Sequence, residues 1–209
     1  GLQRFACEYG KNAGLEPMET AAKNKYKVAV VGAGPAGMAC AAELAKIGYS
    51  VTLFDKDDAV GGVTNWGIPS FRLPKDVLQD SVANLKTLGV EFKLGVSLNS
   101  ESEISNLLEK GYSSVFVATG LTKTVELDVF KNYENVVSAA DFLKSVKAKQ
   151  RDFGIGGKTV AIIGGGAVAM DAATTAKALM AKRVYTVSLE DLNEMPANEE
   201  ELDVARKAG

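Results

Sequence analysis

The sequence predicts an α/β fold built from two successive strand, glycine-turn, helix, strand units with mostly parallel strands. Two observations carry this. "KVAVVGAGPAGMACAAELAKIGYSVTLFDKD" (27–57) runs from a buried apolar strand through a glycine turn and a helical stretch to a second strand. "KTVAIIGGGAVAMDAATTAKALMAKRVYTVSLED" (158–191) repeats that order about 130 residues later. Between them, apolar runs alternate with stretches of helical period, the α/β signature.

Taken in order, residues 1–25 mix Gly, Asn, Pro and charge without a sustained period and read as a lead segment or linker. Strands are expected at 28–31 and 51–54 around a helix at 36–47. The stretch after the second strand, with Gly61, Gly62, Gly67, Pro69 and Pro74, reads as loop up to Lys75. A helix follows from Lys75 to Gly89, where Val77, Leu78, Val82, Leu85 and Leu88 fall near helical spacing. Next come a short strand at 90–94, a helix at 101–110 and a buried strand in "SSVFVATG". A helix at 138–149 and a hinge in "DFGIGGK" lead into the second unit. The expected division is a lead segment at 1–25, a first domain at 26–150 and a second at 151–209. Only 19 residues follow Glu190, so the second domain is expected to be incomplete and the chain, which begins at Gly1, a fragment.

Composition narrows the chemistry. Of 209 residues, 46% are hydrophobic, enough for buried cores. With 24 basic against 26 acidic residues and no Lys/Arg block, nothing suggests a nucleic-acid or membrane surface. No apolar run reaches membrane-spanning length and no signal-peptide pattern opens the chain, so a cytoplasmic location is expected. Histidine is absent, which removes Ser/His/Asp and Cys/His catalysis and histidine metal sites. Cys7 and Cys40 stand far apart and read as ordinary thiols. No residue is assigned a catalytic or metal-binding role, and redox chemistry would have to come from a bound cofactor.

Each glycine turn has the residues a dinucleotide needs. Gly32 permits the tight turn, Gly34 lets backbone N–H groups approach a pyrophosphate, and Gly37 lets helix and strand pack closely. Pro35 and Ala36 open the helix whose N-terminus faces the phosphates. Asp55, 18 residues after Gly37 and followed by Lys56, is placed to accept hydrogen bonds from ribose hydroxyls. In the second unit Gly164, Gly166 and Ala169 take the three roles, with Ala167 and Val168 opening the helix and Glu190 in the acidic position 21 residues on. Gly165 between them reads as incidental. These are two Rossmann-like dinucleotide-binding domains, and two such sites without a catalytic histidine or thiol pair point to transfer between two cofactors, typically a flavin and a nicotinamide nucleotide.

At this level the chain resembles a known family. "VGAGPAGMACAAELAKIGYSVTLFDKDDAVGG" is similar to the flavin-binding pattern of flavoproteins with two dinucleotide domains. "GIPSFRLPKDVL", "VATG", "VSAADFL", "GGGAVAMDAATTA" and "EMPANEEELDVA" resemble the small (beta) subunit of glutamate synthase, the related module of dihydropyrimidine dehydrogenase and the NADH-dependent ferredoxin:NADP oxidoreductase subunit. The leading "LQRFACEYG" resembles the segment that follows an iron–sulfur domain in that family. The resemblance implies FAD in the first domain, NAD(P)H in the second, hydride passed to the flavin, and electrons sent through iron–sulfur clusters to a partner domain or large electron-accepting subunit. Those clusters would lie in segments or partners outside this chain. It also implies that Gly61, Gly62 and the "GIPSFRLP" loop with Arg72 line the FAD, and that Ala118, Thr119 and Gly120 cross near it. Two readings stay open beside it: a stand-alone ferredoxin:NAD(P) oxidoreductase or flavin reductase subunit, and a non-catalytic nucleotide-binding module.

The resemblance also bears on which nicotinamide nucleotide binds. Aligned on Met195-Pro196-Ala197, the resemblance implies an arginine pair, common in that family, where this chain has Leu189 and Glu190. Arginine there would pair with the 2′-phosphate of NADP, whereas glutamate accepts hydrogen bonds from the free hydroxyls of NAD and repels a phosphate. NADH rather than NADPH is expected.

Overall fold

The structure is a computed structural model that describes residues 2–14, 20–121, 123–124 and 127–209. It contains two parallel sheets, one of four strands and one of two. The first sheet forms from β1 (Lys27–Val31), β2 (Ser50–Phe54), β3 (Glu91–Lys93) and β4 (Ser114–Val117), in the order β3-β2-β1-β4. Every pairing is parallel, with Val30 opposite Leu53 and Val31 opposite both Phe54 and Val117. Parallel neighbours need a crossover, and the helices supply it: α2 (Pro35–Lys46) between β1 and β2, α4 (Lys75–Thr87) between β2 and β3, and α5 (Glu101–Glu109) between β3 and β4.

Alternation along the strands sends residues to two cores. Val30, Val51 and Leu53 pack with Ala41, Ala45 and Leu85 on one face. Ala29, Val31 and Phe54 pack with Leu107 on the other. Helices on both faces explain why β1 and β2 read as continuous apolar runs. Leu53 and Val30 are fully buried, each side chain contributing about 1.5–3 kcal/mol relative to exposure.

The second sheet pairs β5 (Thr159–Ile163) with β6 (Arg183–Val187) across α7 (Ala167–Ala178). Val160, Ile162 and Val184 pack toward Ala172 and Ala176 of α7 and toward Phe142 and Leu143 of α6 (Ala139–Lys147). The other face leaves Ile163, Tyr185 and Val187 exposed. A last helix, α8 (Glu199–Ala208), lies along α7 with Leu202 and Ala205 against Met170 and Ala169.

Several expectations are corrected. The lead segment contains a helix, α1 (Leu2–Asn12), while residues 1 and 15–19 of that segment lie outside the described residues. The loop after Gly62 begins with a helical turn, α3 (Val63–Trp66). A short 3-10 turn stands at Asp128–Phe130. β4 is not a buried strand: it is the edge of its sheet, with Phe116 and Val117 exposed. α6 stops at Lys147 rather than 149, and β6 stops at Val187, which leaves Glu190 three residues beyond the strand. Among the described residues no helix is long and apolar enough to cross a membrane.

Candidate dinucleotide sites

The first glycine turn, Gly32–Gly37, joins β1 to α2. Gly32 donates its N–H to the Phe54 carbonyl at 2.8 Å, and with φ +111° it occupies a conformation L side chains rarely adopt. A Cβ on Gly32 would lie inside van der Waals contact of the Ala118 carbonyl, and one on Gly37 would meet the Gly32 carbonyl. Both glycines are therefore required for packing within the chain. Gly34 differs: a Cβ there would have nothing within 4 Å, so its side opens outward.

The other first-site residues converge on this turn. Asp55 accepts the Ala33 N–H at 2.5 Å through one oxygen and the Asp57 N–H at 2.9 Å through the other. An ionised carboxylate has about four acceptor positions, so ribose hydroxyls can still be accepted. Gly61 donates to the Ala33 carbonyl at 2.8 Å, and Gly62 lies so close that an added Cβ would stand 3.0 Å from Gly34 Cα. Ala118 donates to the Val31 carbonyl at 2.7 Å, which brings the Ala118 and Thr119 backbone against Gly32, with Gly120 next in the chain. Pro35 and Ala36 are exposed at the start of α2, and Lys56 is exposed beside Asp55.

The second turn repeats the arrangement. Gly164, at φ +128°, donates to the Val187 carbonyl at 2.8 Å, as Gly32 does to Phe54. Gly166 has the same open side as Gly34. Ala169 is buried where helix meets strand, Ala167 is half-buried and Val168 exposed. Gly165 proves structural rather than incidental. Its added Cβ would stand 3.0 Å from Ser188 Cβ, and its carbonyl accepts the Ala197 N–H at 3.0 Å. The segment after β6 thus folds back on the turn, with the Ser188 hydroxyl donating to the Glu190 carbonyl at 2.8 Å and the Glu190 side chain exposed.

Helix starts differ in how they are capped, and α3 and α4, which begin after Gly62 and Pro74, have no side-chain cap either. Ser100, Ser138 and Asn198 accept a backbone N–H at the starts of α5, α6 and α8. The helices behind the glycine turns, capped by Gly34 and Gly166, have no side-chain acceptor. First-turn N–H groups have no partner within a helix, and together with the helix dipole they form an anion site.

Arg72 has other partners than the flavin-lining role the resemblance implied. Its Nη1 lies 3.1 Å from both oxygens of Asp171 on α7, and its Nη2 lies 2.8 Å from Glu201 on α8. Burial opposes the Arg72 charge, but hydrogen bonds to Asp171 and Glu201 outweigh it and push its pKa up. Burial also holds the Asp171 carboxyl above its ordinary value, despite the pull of Arg72. Nearby, Lys147 donates to the Ile68 carbonyl at 2.5 Å and Lys144 lies over the Trp66 ring. No local sequence pattern marks Asp171 or Glu201, which lie 99 and 129 residues from Arg72.

Comparison with known proteins gives the wider setting. The profile of the pyridine nucleotide-disulphide oxidoreductase family matches residues 26–204. The chain is 37% identical over 208 residues to the NAD-dependent dihydropyrimidine dehydrogenase subunit PreT of Escherichia coli K12, covering all of this chain and 50% of that protein. It is 30% identical over 219 residues to the glutamate synthase [NADPH] small chain of the same organism, covering all of this chain and 46% of that one. The chain thus spans about half the length of these curated relatives. Among solved structures, Mycobacterium tuberculosis FprA in complex with NADPH superposes with a TM-score of 0.73 at 19% identity, covering 88% of this chain and 48% of FprA. That likeness establishes the α/β fold.

Proposed function

The chain belongs to the pyridine nucleotide-disulphide oxidoreductase family, and on that footing we propose that it is the dinucleotide-binding part of a flavin-dependent oxidoreductase subunit that oxidises NADH and passes electrons to an iron–sulfur partner. In this reading residues 26–150 hold FAD and residues 151–209 begin the nicotinamide-nucleotide site. The observation that carries it is the pair of glycine turns, each with an uncapped helix N-terminus and an outward-open second glycine. Both relatives described above are named as parts of larger enzymes, a subunit and a small chain, which supports an electron-accepting partner.

The residues fit these groups. At the first turn the α2 N-terminus would meet the FAD pyrophosphate, and the open side of Gly34 leaves room for it. Asp55 would accept from the adenosine ribose while its bond to Ala33 holds the turn in shape. The Gly61, Gly62, Ala118 and Thr119 backbone packs against the same turn, and Gly120 follows it, so the cofactor would meet main chain there. At the second turn the α7 N-terminus would take the nicotinamide-nucleotide pyrophosphate. Glu190 would accept from the free ribose hydroxyls of NADH and repel the 2′-phosphate of NADPH. When bound, a flavin supplies two-electron exchange with the nicotinamide nucleotide and one-electron exchange with an iron–sulfur acceptor.

The test is the visible spectrum of the purified complete protein, followed by anaerobic mixing with NADH and with NADPH. A flavin band bleached faster by NADH supports the proposal. A colourless protein, or a flavin that neither nucleotide bleaches, refutes it.

A further inference from the structure

We infer that Arg72 is a positioning residue that fixes the first glycine turn relative to the second by bridging Asp171 and Glu201. The inference rests on the reading above, in which the two turns serve one electron path.

A continuous set of contacts links the turns. Gly61 and Gly62 are fastened to Ala33 and Gly34 of the first turn. Ten residues later Arg72, whose N–H donates to the Pro69 carbonyl at 3.0 Å, reaches across to the second unit. Asp171 is the fifth residue of α7, the helix capped by Gly166 of the second turn. Glu201 is held just as firmly. One of its oxygens accepts the Asn198 N–H at 3.0 Å in the α8 capping box while the other takes Arg72. The adjoining Ala197 donates to Gly165 of the second turn. Lys144 over Trp66 and Lys147 on the Ile68 carbonyl fasten the same 62–72 loop to α6.

Geometry rather than stability is what this cluster provides. Asp171 is only 8% exposed, and two carboxylates face one guanidinium, leaving an excess negative charge in a shielded place. Such ionic clusters offset little more than their own desolvation. A planar fork with two fixed directions, however, defines how its partners sit, and a lysine cannot reproduce it. Transfer between two cofactors is sensitive to displacements of about 1 Å, which can cost on the order of a hundredfold in rate.

The experiment uses the complete protein with its cofactor and the variants Arg72→Lys, Asp171→Asn and the two combined. Flavin content and the NADH dissociation constant should stay within about twofold, while the limiting rate of flavin reduction falls about tenfold or more in each single variant. The double variant should be no slower than the slower single, because both remove one interaction. Unchanged limiting rates, or losses that multiply in the double variant, overturn the inference. If the wild-type flavin is not reduced by either nucleotide, the proposed function has failed, and the bridge is judged by chymotrypsin instead. Freed from Asp171, the loop should be cut after Phe71 about tenfold faster in Asp171→Asn than in wild type. Equal cleavage rates overturn the bridge whatever the activity.

Discussion

Asp55 at the end of β2 accepts the N–H of Ala33 in the first glycine turn at 2.5 Å. The acid that the motif places for ribose is thus also a strut of the turn. Asp55→Ala should lower stability by about 1.5–3 kcal/mol, the loss expected for a hydrogen bond to a charged group, and should also weaken FAD retention. Thermal melts and the flavin-to-protein absorbance ratio read the two effects separately.

Gly37 packs helix to strand, and an added methyl would strike the Gly32 carbonyl, which is backbone and cannot move aside cheaply. Gly37→Ala should therefore destabilise the protein by about 1–3 kcal/mol or more, lowering the denaturant midpoint without requiring any cofactor to be present. A midpoint equal to wild type would show that the turn is laxer than its geometry.

Burial raises the Asp171 pKa, and this fixes the sign of its pH dependence. For a carboxyl whose folded pKa lies above its unfolded value, the contribution to stability is complete below the unfolded value, about 4, and is lost as pH rises through the folded value. The stability of wild type relative to Asp171→Asn should therefore be most favourable near pH 4 and decline toward neutral pH. Removing Arg72 is different. Arg72→Ala strands Asp171 beside Glu201 and should cost roughly 1–3 kcal/mol at neutral pH, a buried-pair loss discounted for the partial exposure of Arg72. Paired urea titrations across pH measure both.

Glu190 follows β6 on a segment pinned to the second turn, and no basic residue occurs from Val184 through Ala205. Glu190→Arg should move the ratio of kcat/KM for NADH over NADPH toward NADPH by about 10- to 100-fold, since a like-charge contact is replaced by a bidentate partner. Steady-state kinetics of the complete protein with both nucleotides measures the shift.

The first unit was legible because each of its demands falls on residues that declare themselves. Gly32, Gly34, Gly37 and Asp55 stand in fixed order, and β1 and β2 are apolar on both faces. Helix ends were legible where glycine marks them. α2, α4 and α5 end with Gly48, Gly89 and Gly111 at positive φ. α6 and α7 end in the same way with Lys149 at φ 54° and Met180 at φ 63°, residues that give no such signal, and α6 was accordingly overextended. Lys149→Gly and Met180→Gly should each relieve strain of about 0.5–1 kcal/mol and raise the melting temperature. In α1, Leu2, Phe5 and Tyr9 recur at helical intervals, but over 11 residues among Gly, Lys and Asn the period is faint. The roles of Arg72 and Gly165 depend on residues distant in sequence, Asp171, Glu201, Ser188 and Met195, and no local pattern announces them.

The central claim, that each glycine turn holds its own cofactor, is tested most directly by anaerobic flavin-bleaching traces of Gly34→Ala and Gly166→Ala in the complete protein. Neither added methyl has a protein atom within 4 Å, so both variants should fold as wild type does. Gly34→Ala should be purified with its flavin lost or much depleted. Gly166→Ala should keep its flavin and bleach only at NADH concentrations about tenfold or more above wild type. Full flavin in Gly34→Ala, or wild-type bleaching in Gly166→Ala, would contradict the account.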